Sequence, residues 1–168
     1  EPDMRHPGHL SEPTAENLGE LIEIVKETGA DLGIAHDGDA DRCVFVTSDG
    51  GYVPGDVALA LLARYLLGKR NGGKVVVTVA TSMIVEDTAK ASGGETVYTA
   101  VGSPIVAREM ASDGAVFGGE ENGGLIFADH QFCRDGAMGA AIMLECLVKK
   151  GDIGKQMDSL PSYRTIKK

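Results

Sequence analysis

Asp31-Leu-Gly-Ile-Ala-His-Asp-Gly-Asp-Ala-Asp-Arg42 leads directly into Cys43-Val-Phe-Val-Thr47. The short apolar runs Asp31–His36 and Cys43–Thr47 predict two strands. The loop between them carries Asp37, Asp39 and Asp41, alternating with Gly38 and Ala40 and followed at once by Arg42. Alternating carboxylates on a tight loop turn several hard oxygens toward one spot, which suits Mg²⁺ or Ca²⁺ and no soft metal. An arginine beside such a cluster either neutralises spare charge or holds an anionic ligand through its planar fork. A divalent ion next to an arginine reads as a phosphate site.

Other readings of this loop are weaker. A helix–loop–helix calcium site wants glycine sixth and glutamate twelfth, whereas Arg42 and Ser48 stand there. An aspartyl-phosphate enzyme would make Asp37 the nucleophile, but gives the third carboxylate and Arg42 no place. An acidic surface turn needs no strict alternation between two apolar strands.

Working outward, residues 1–13 carry three prolines and a glycine and predict an extended loop, in which His6 and His9 are exposed rather than ligands. Thr14 is the expected cap of an amphipathic helix with Leu18, Leu21, Ile22 and Val25 on one face and Gly29 at its end. Ser48–Gly51 is a hairpin turn. Asp56 caps the next predicted helix, which buries Leu59, Leu62, Ala63 and Leu66 and stops at Gly68. Lys74–Val79 is an almost wholly β-branched run, as in a strand buried on both faces. A helix over 82–92, a strand over 95–99 and a helix opened by Ser103-Pro104 follow. Strands at 115–117 and 125–128 flank Gly118–Gly124, Asp135 caps a helix to Lys150, and a short helix precedes Pro161. This alternation predicts an α/β fold, a layered mixed β-sheet with flanking helices. A complete α/β domain is expected over residues 42–168. Residues 1–41 are too short to bury a core alone and are expected to end a preceding domain.

Composition narrows the function classes. The net charge of −9 argues against a nucleic-acid or membrane-surface partner. Cys43, Cys133 and Cys146 are odd in number and lack CxxC spacing, as expected for reduced thiols in the cytoplasm. No signal peptide is visible, and no apolar run approaches the ~20 residues that span a bilayer. The first residue is Glu, so an upstream start is expected. Around Gly118–Gly124, glycines bracket Glu120, Glu121 and Asn122; such a tip offers oxygens and an amide NH₂ to a polyol, or is a plain hairpin loop. Gly102-Ser103-Pro104 either binds an anion through helix N–H groups or simply caps.

Asp37–Arg42 with its preceding strand, Gly55-Asp56, Val101-Gly102, Gly119-Glu120-x-Asn122-Gly123 and Arg134-Asp135-Gly136 occur in order along the chain. In that order and spacing they resemble the α-D-phosphohexomutases, comprising the phosphomannomutase, phosphoglucomutase and phosphoglucosamine mutase enzymes. The resemblance covers essentially the whole chain. It implies a four-domain enzyme in which residues 1–41 end the second domain and residues 42–168 form the third. The first domain's phosphoserine loop and the fourth domain's phosphate clamp would lie outside these residues.

The resemblance further implies that Asp37, Asp39 and Asp41 bind Mg²⁺, with the phosphoserine as its other ligand. Arg42 would contact the reacting phosphate, and Glu120, Asn122 and Gly102 would lie at the sugar. Mannose, glucose or glucosamine phosphate would exchange a phosphoryl group between C1 and C6 oxygens through a hexose 1,6-bisphosphate. Without its nucleophile the isolated chain is expected to be inactive. A stand-alone metal- or sugar-phosphate-binding module is the rival reading. The chain departs from the family's Gly-Glu-x-Ser-Gly-His loop at Asn122 and Gly124, and lacks the lysine near Ala80 and histidine near Gly102 that some members carry.

Overall fold

The apolar runs around the aspartates pair as an antiparallel hairpin, β1 (Leu32–His36) with β2 (Cys43–Thr47), in register from Leu32 opposite Thr47 to His36 opposite Cys43. A two-residue strand, β3 (Tyr52–Val53), adds to β2 after the expected turn. It is too short to leave a periodic signal in the sequence. The computed structural model describes residues 11–163, so His6, His9 and most of the expected N-terminal loop lie outside the described residues.

The second sheet has the order β5-β4-β6-β7, from β4 (Gly73–Thr78), β5 (Gly94–Thr99), β6 (Phe117–Gly119) and β7 (Leu125–Phe127). β4 runs parallel to both β5 and β6, while β6 and β7 are antiparallel, so the sheet is mixed. The carboxyl ends of β4, β5 and β6 therefore share one edge, where open α/β sheets bind ligands. The segments leaving that edge carry Gly102 and the 120–124 loop.

The helices are α1 (Gly19–Thr28), α2 (Gly55–Arg70), α3 (Ile84–Ala91), α4 (Ser103–Asp113), α5 (Gly136–Lys150) and α6 (Ile153–Asp158). α2 is buried nearly all round rather than on one face, with Leu59, Ala60, Leu61, Leu62 and Ala63 all at 0% exposure. It lies in one core with Phe45 and Val53 of the first sheet and Val75 and Val77 of the second, which fastens the two sheets together.

Three expected caps differ from the structure. Thr14 precedes a 3-10 turn, Ala15–Leu18, and its side chain caps nothing. Asp56 lies inside the first turn of α2, behind Pro54, and instead accepts from the Ser82 N–H at 3.0 Å, tying α2 to the segment before α3. Gly68 does not end α2; Asn71 does, in the left-handed region at φ 58° with its N–H on Leu67. The Asp56 change is tertiary, and beyond Gly68 the helix runs on through exposed Lys69 and Arg70, which pair with Glu145 and Asp129.

Asp135 caps α5 as expected, accepting from Met138 N at 2.8 Å through one oxygen and meeting His130 Nε2 and Gln131 Nε2 with the other. The Met138 N–H, supported by His130 and Gln131, outweighs the opposing effect of burial and lowers its pKa. A carboxylate lowered on folding adds stability above its unfolded pKa of about 4, and loses it as pH falls through the folded value. Asp135→Ala is expected to cost about 1–2 kcal/mol at pH 7. In urea unfolding the gap between variant and parent should narrow below about pH 4, and a gap independent of pH would contradict this account.

Candidate metal centre

The β1–β2 loop brings Asp37, Asp39 and Asp41 together, each offering a carboxylate oxygen within 4.8 Å of the others. Ala40 closes the turn at φ 58°, a left-handed conformation that costs a residue with a Cβ about 1 kcal/mol. Gly136, the first residue of α5, supports the loop from below. A Cβ there would stand 2.5 Å from Ala40 O and 2.9 Å from Arg42 O, so only glycine lets the loop lie so close.

The charges around the triad are paired unequally. Asp37 accepts from Arg42 through both oxygens, at 2.5 Å from Nε and 3.2 Å from the backbone N–H. Burial alone would raise the Asp37 pKa, but its Arg42 bonds and charge outweigh this and lower it. The Arg42 fork also grips Glu12, at 2.6 and 3.1 Å, and this hydrogen bonding lowers the Glu12 pKa. Arg42, expected to face a phosphate, thus has its guanidinium bound by two carboxylates. Asp39 is exposed and makes no hydrogen bond or ion pair among the described residues.

Asp41 supplies the sharpest test of whether a metal fits. Its Oδ2 pairs with Arg134 at 2.5 Å, while its Oδ1 is buried with no hydrogen-bond partner. A stranded buried acceptor costs about 1–3 kcal/mol, which a cation at that oxygen would offset. An all-carboxylate donor set with one orphaned oxygen fits a hard divalent cation.

The 120–124 loop abuts the aspartate loop. Cys43 N donates to Gly123 O at 3.1 Å, and Arg42 bridges to Gly124. Glu120 is 4% exposed; its Oε1 accepts from Gly102 N at 3.0 Å and its Oε2 lies 3.5 Å from Arg134 Nη1. Asn122 is exposed, with Oδ1 accepting from Gly124 N at 3.1 Å. Gly102 gives its N–H to Glu120, and the nearby Pro104 has none, so the start of α4 offers an anion little.

Arg134 entered the sequence reading only as part of a motif, yet it joins Asp41 to Glu120. It passes close over Gly124, where a Cβ would stand 2.4 Å from Arg134 Cδ. With Asp41, Ser103, Pro104, Ala107, Phe132 and Cys133, Arg134 lines a cavity of about 220 Å³.

Two family models match the chain: phosphoglucomutase/phosphomannomutase alpha/beta/alpha domain II over residues 1–51, and domain III over residues 54–163. The division expected at 41/42 falls inside the β1–β2 hairpin, whereas the two models part near 52–53. A protein of Thermococcus kodakarensis named phosphoglucomutase/phosphomannomutase is 44% identical over 99% of this chain and 37% of its own length. A Methanopyrus kandleri protein named probable phosphoglucosamine mutase is also 44% identical over 99% of this chain and 37% of its own. Among solved structures, a phosphoglucomutase/phosphomannomutase family protein of Burkholderia thailandensis superposes with TM-score 0.83 at 30% identity, covering 90% of this chain and 33% of that one. The chain therefore spans little more than a third of the length of these curated relatives.

Proposed function

The chain belongs to the phosphoglucomutase/phosphomannomutase family, and on that premise we propose that it forms the metal-binding and sugar-reading part of a hexose-phosphate mutase. The enzyme would interconvert hexose 1-phosphate and hexose 6-phosphate through a hexose 1,6-bisphosphate. One observation carries the reading. Asp41 of the triad and Arg134 line the same cavity beside the start of α4, and Glu120 reaches Arg134 from the neighbouring loop. A metal ligand and a sugar loop are thereby within one side chain of each other.

In this reading Asp37, Asp39 and Asp41 hold Mg²⁺, and the chemistry such an ion supplies when bound is neutralisation of charge on the transferring phosphoryl group. Arg42 turns its fork to the reacting phosphate by exchanging Glu12, whose side chain is 54% exposed and is therefore the easier partner to give up. Asn122 presents its NH₂ to sugar hydroxyls from an exposed tip. Glu120 accepts from them on Oε2, since a carboxylate oxygen takes more than one hydrogen bond and the Arg134 contact is long. The phosphate-carrying nucleophile is assigned to residues outside this chain. We place the protein in the cytoplasm, in keeping with its three free cysteines. Among the described residues no helix is long and apolar enough to cross a membrane.

The relative named phosphoglucosamine mutase favours glucosamine phosphate as a second substrate reading. Phosphorus NMR of the intact protein with Mg²⁺ and each of mannose, glucose and glucosamine 1-phosphate tests both. Conversion of at least one to its 6-phosphate is expected, and the preferred sugar selects between the readings. No conversion of any of the three would refute the mutase.

A further inference from the structure

Asp41 and Glu120 are two carboxylates on loops of different sheets, and Arg134 stands between them. Its Nη2 is 2.5 Å from Asp41 Oδ2 and its Nη1 is 3.5 Å from Glu120 Oε2. Glu120 is nearly fully buried, so its charge needs compensation, and Arg134 and the Gly102 N–H are what meet it. The backbone at 134 is held from the next residue, since Asp135 N donates to Leu125 O at 3.0 Å and its side chain caps α5. The side chain then passes over Gly124, where a Cβ would stand 2.4 Å from Arg134 Cδ and 3.2 Å from Cγ.

We propose that Arg134 is a positioning residue for the sugar-phosphate site. One guanidinium fork fixes Asp41 of the metal loop and Glu120 of the sugar loop relative to each other, and Gly124 is glycine to leave that fork its path. The fork is essential, because a planar guanidinium presents separate N–H groups to two acceptors while a lysine is a single point charge on a flexible stem. What the positioned groups bind rests on the hexose-phosphate reading above.

The test uses the intact protein and four variants: Arg134→Ala, Arg134→Lys, Gly124→Ala and the Gly124→Ala/Arg134→Ala double. Calorimetry gives the Kd for hexose 6-phosphate, steady-state kinetics separate KM from kcat, and thermal melts give Tm. Arg134→Ala is expected to raise Kd and KM by about tenfold, the scale for losing a partner that orients a ligand-binding group, with kcat changed far less. Arg134→Lys should show the same loss. Gly124→Ala should reproduce that loss and lower Tm in the parent, yet add nothing to either in the Arg134→Ala background. Restored binding in Arg134→Lys overturns the inference, as do equal effects of Gly124→Ala in both backgrounds or a change in Tm alone. If the unmutated protein binds no hexose phosphate, the substrate reading falls. The Tm cycle then decides the contact by itself, and additive losses overturn it.

Discussion

Asp39→Ala is expected to lower kcat of the intact protein by about three orders of magnitude while leaving it folded. The asymmetry follows from the surroundings of the three aspartates. Asp37 is tied to Arg42 through both oxygens and Asp41 is tied to Arg134, so removing either also strands a cation. Asp39 is exposed with no partner among the described residues, so its removal costs the fold little and the proposed ion site one ligand. Neutralising charge on a transferring phosphoryl group is worth several kcal/mol, and about 1.4 kcal/mol is tenfold in rate. Titration with Mn²⁺ followed by EPR should show weakened binding, and the melt should be unchanged. Unaltered Mn²⁺ affinity together with near-normal turnover would remove the triad from the reaction.

Gly55→Ala carries the second large effect. A Cβ at this first residue of α2 would stand 1.9 Å from Glu121 O and 2.6 Å from Glu121 C. These are backbone atoms, so no rotamer change relieves the clash. The 120–124 loop cannot simply retreat, because Gly123 O accepts from Cys43 N and Gly124 O accepts from Glu120 N. α2 cannot easily shift either, since its buried faces pack against both sheets. Forced overpacking of this kind costs about 3 kcal/mol. The displaced loop should also weaken hexose-phosphate binding, because Glu120 and Asn122 ride on it. Denaturant unfolding and calorimetry measure the two losses. A stable variant with normal affinity would mean that the loop adapts and is not held by α2.

The sequence was most legible where the residue pattern and the local structure have the same period. The strands around the aspartates, the buried β4, the helix closed by Gly29 and the Asp135 cap all follow from apolar spacing and capping chemistry within a few residues. β4 shows through its β-branched run although its partners β5 and β6 lie further along. The hairpin, the Gly29 stop and the Asp135 cap fail least because neighbours in the chain supply their partners. The cap assigned to Asp56 failed for the opposite reason. A capping residue type shows that a hydrogen bond is wanted nearby, and Asp56 found its donor in Ser82, far along the chain. α2 read as amphipathic, but it is covered nearly all round, by α3 and β4 just after it and by β2, α5 and β6 as well.

The same division runs through the site. Alternating aspartates followed by an arginine were enough by themselves to indicate a hard-cation and phosphate chemistry and, with the later motifs in order, the family. Which carboxylate is bound by which cation depended on the tertiary structure. Glu12 and Arg42 lie thirty positions apart, and the Arg134 fork joins loops of the two sheets at Asp41 and Glu120. Gly124, a bare departure from the family pattern in the sequence, lies directly under the Arg134 side chain in the structure. Ligand chemistry is carried by residue type and short spacing, which the chain displays directly. The pairing of charges, and the space left for them, is set by distances that exist only after the sheets pack around α2.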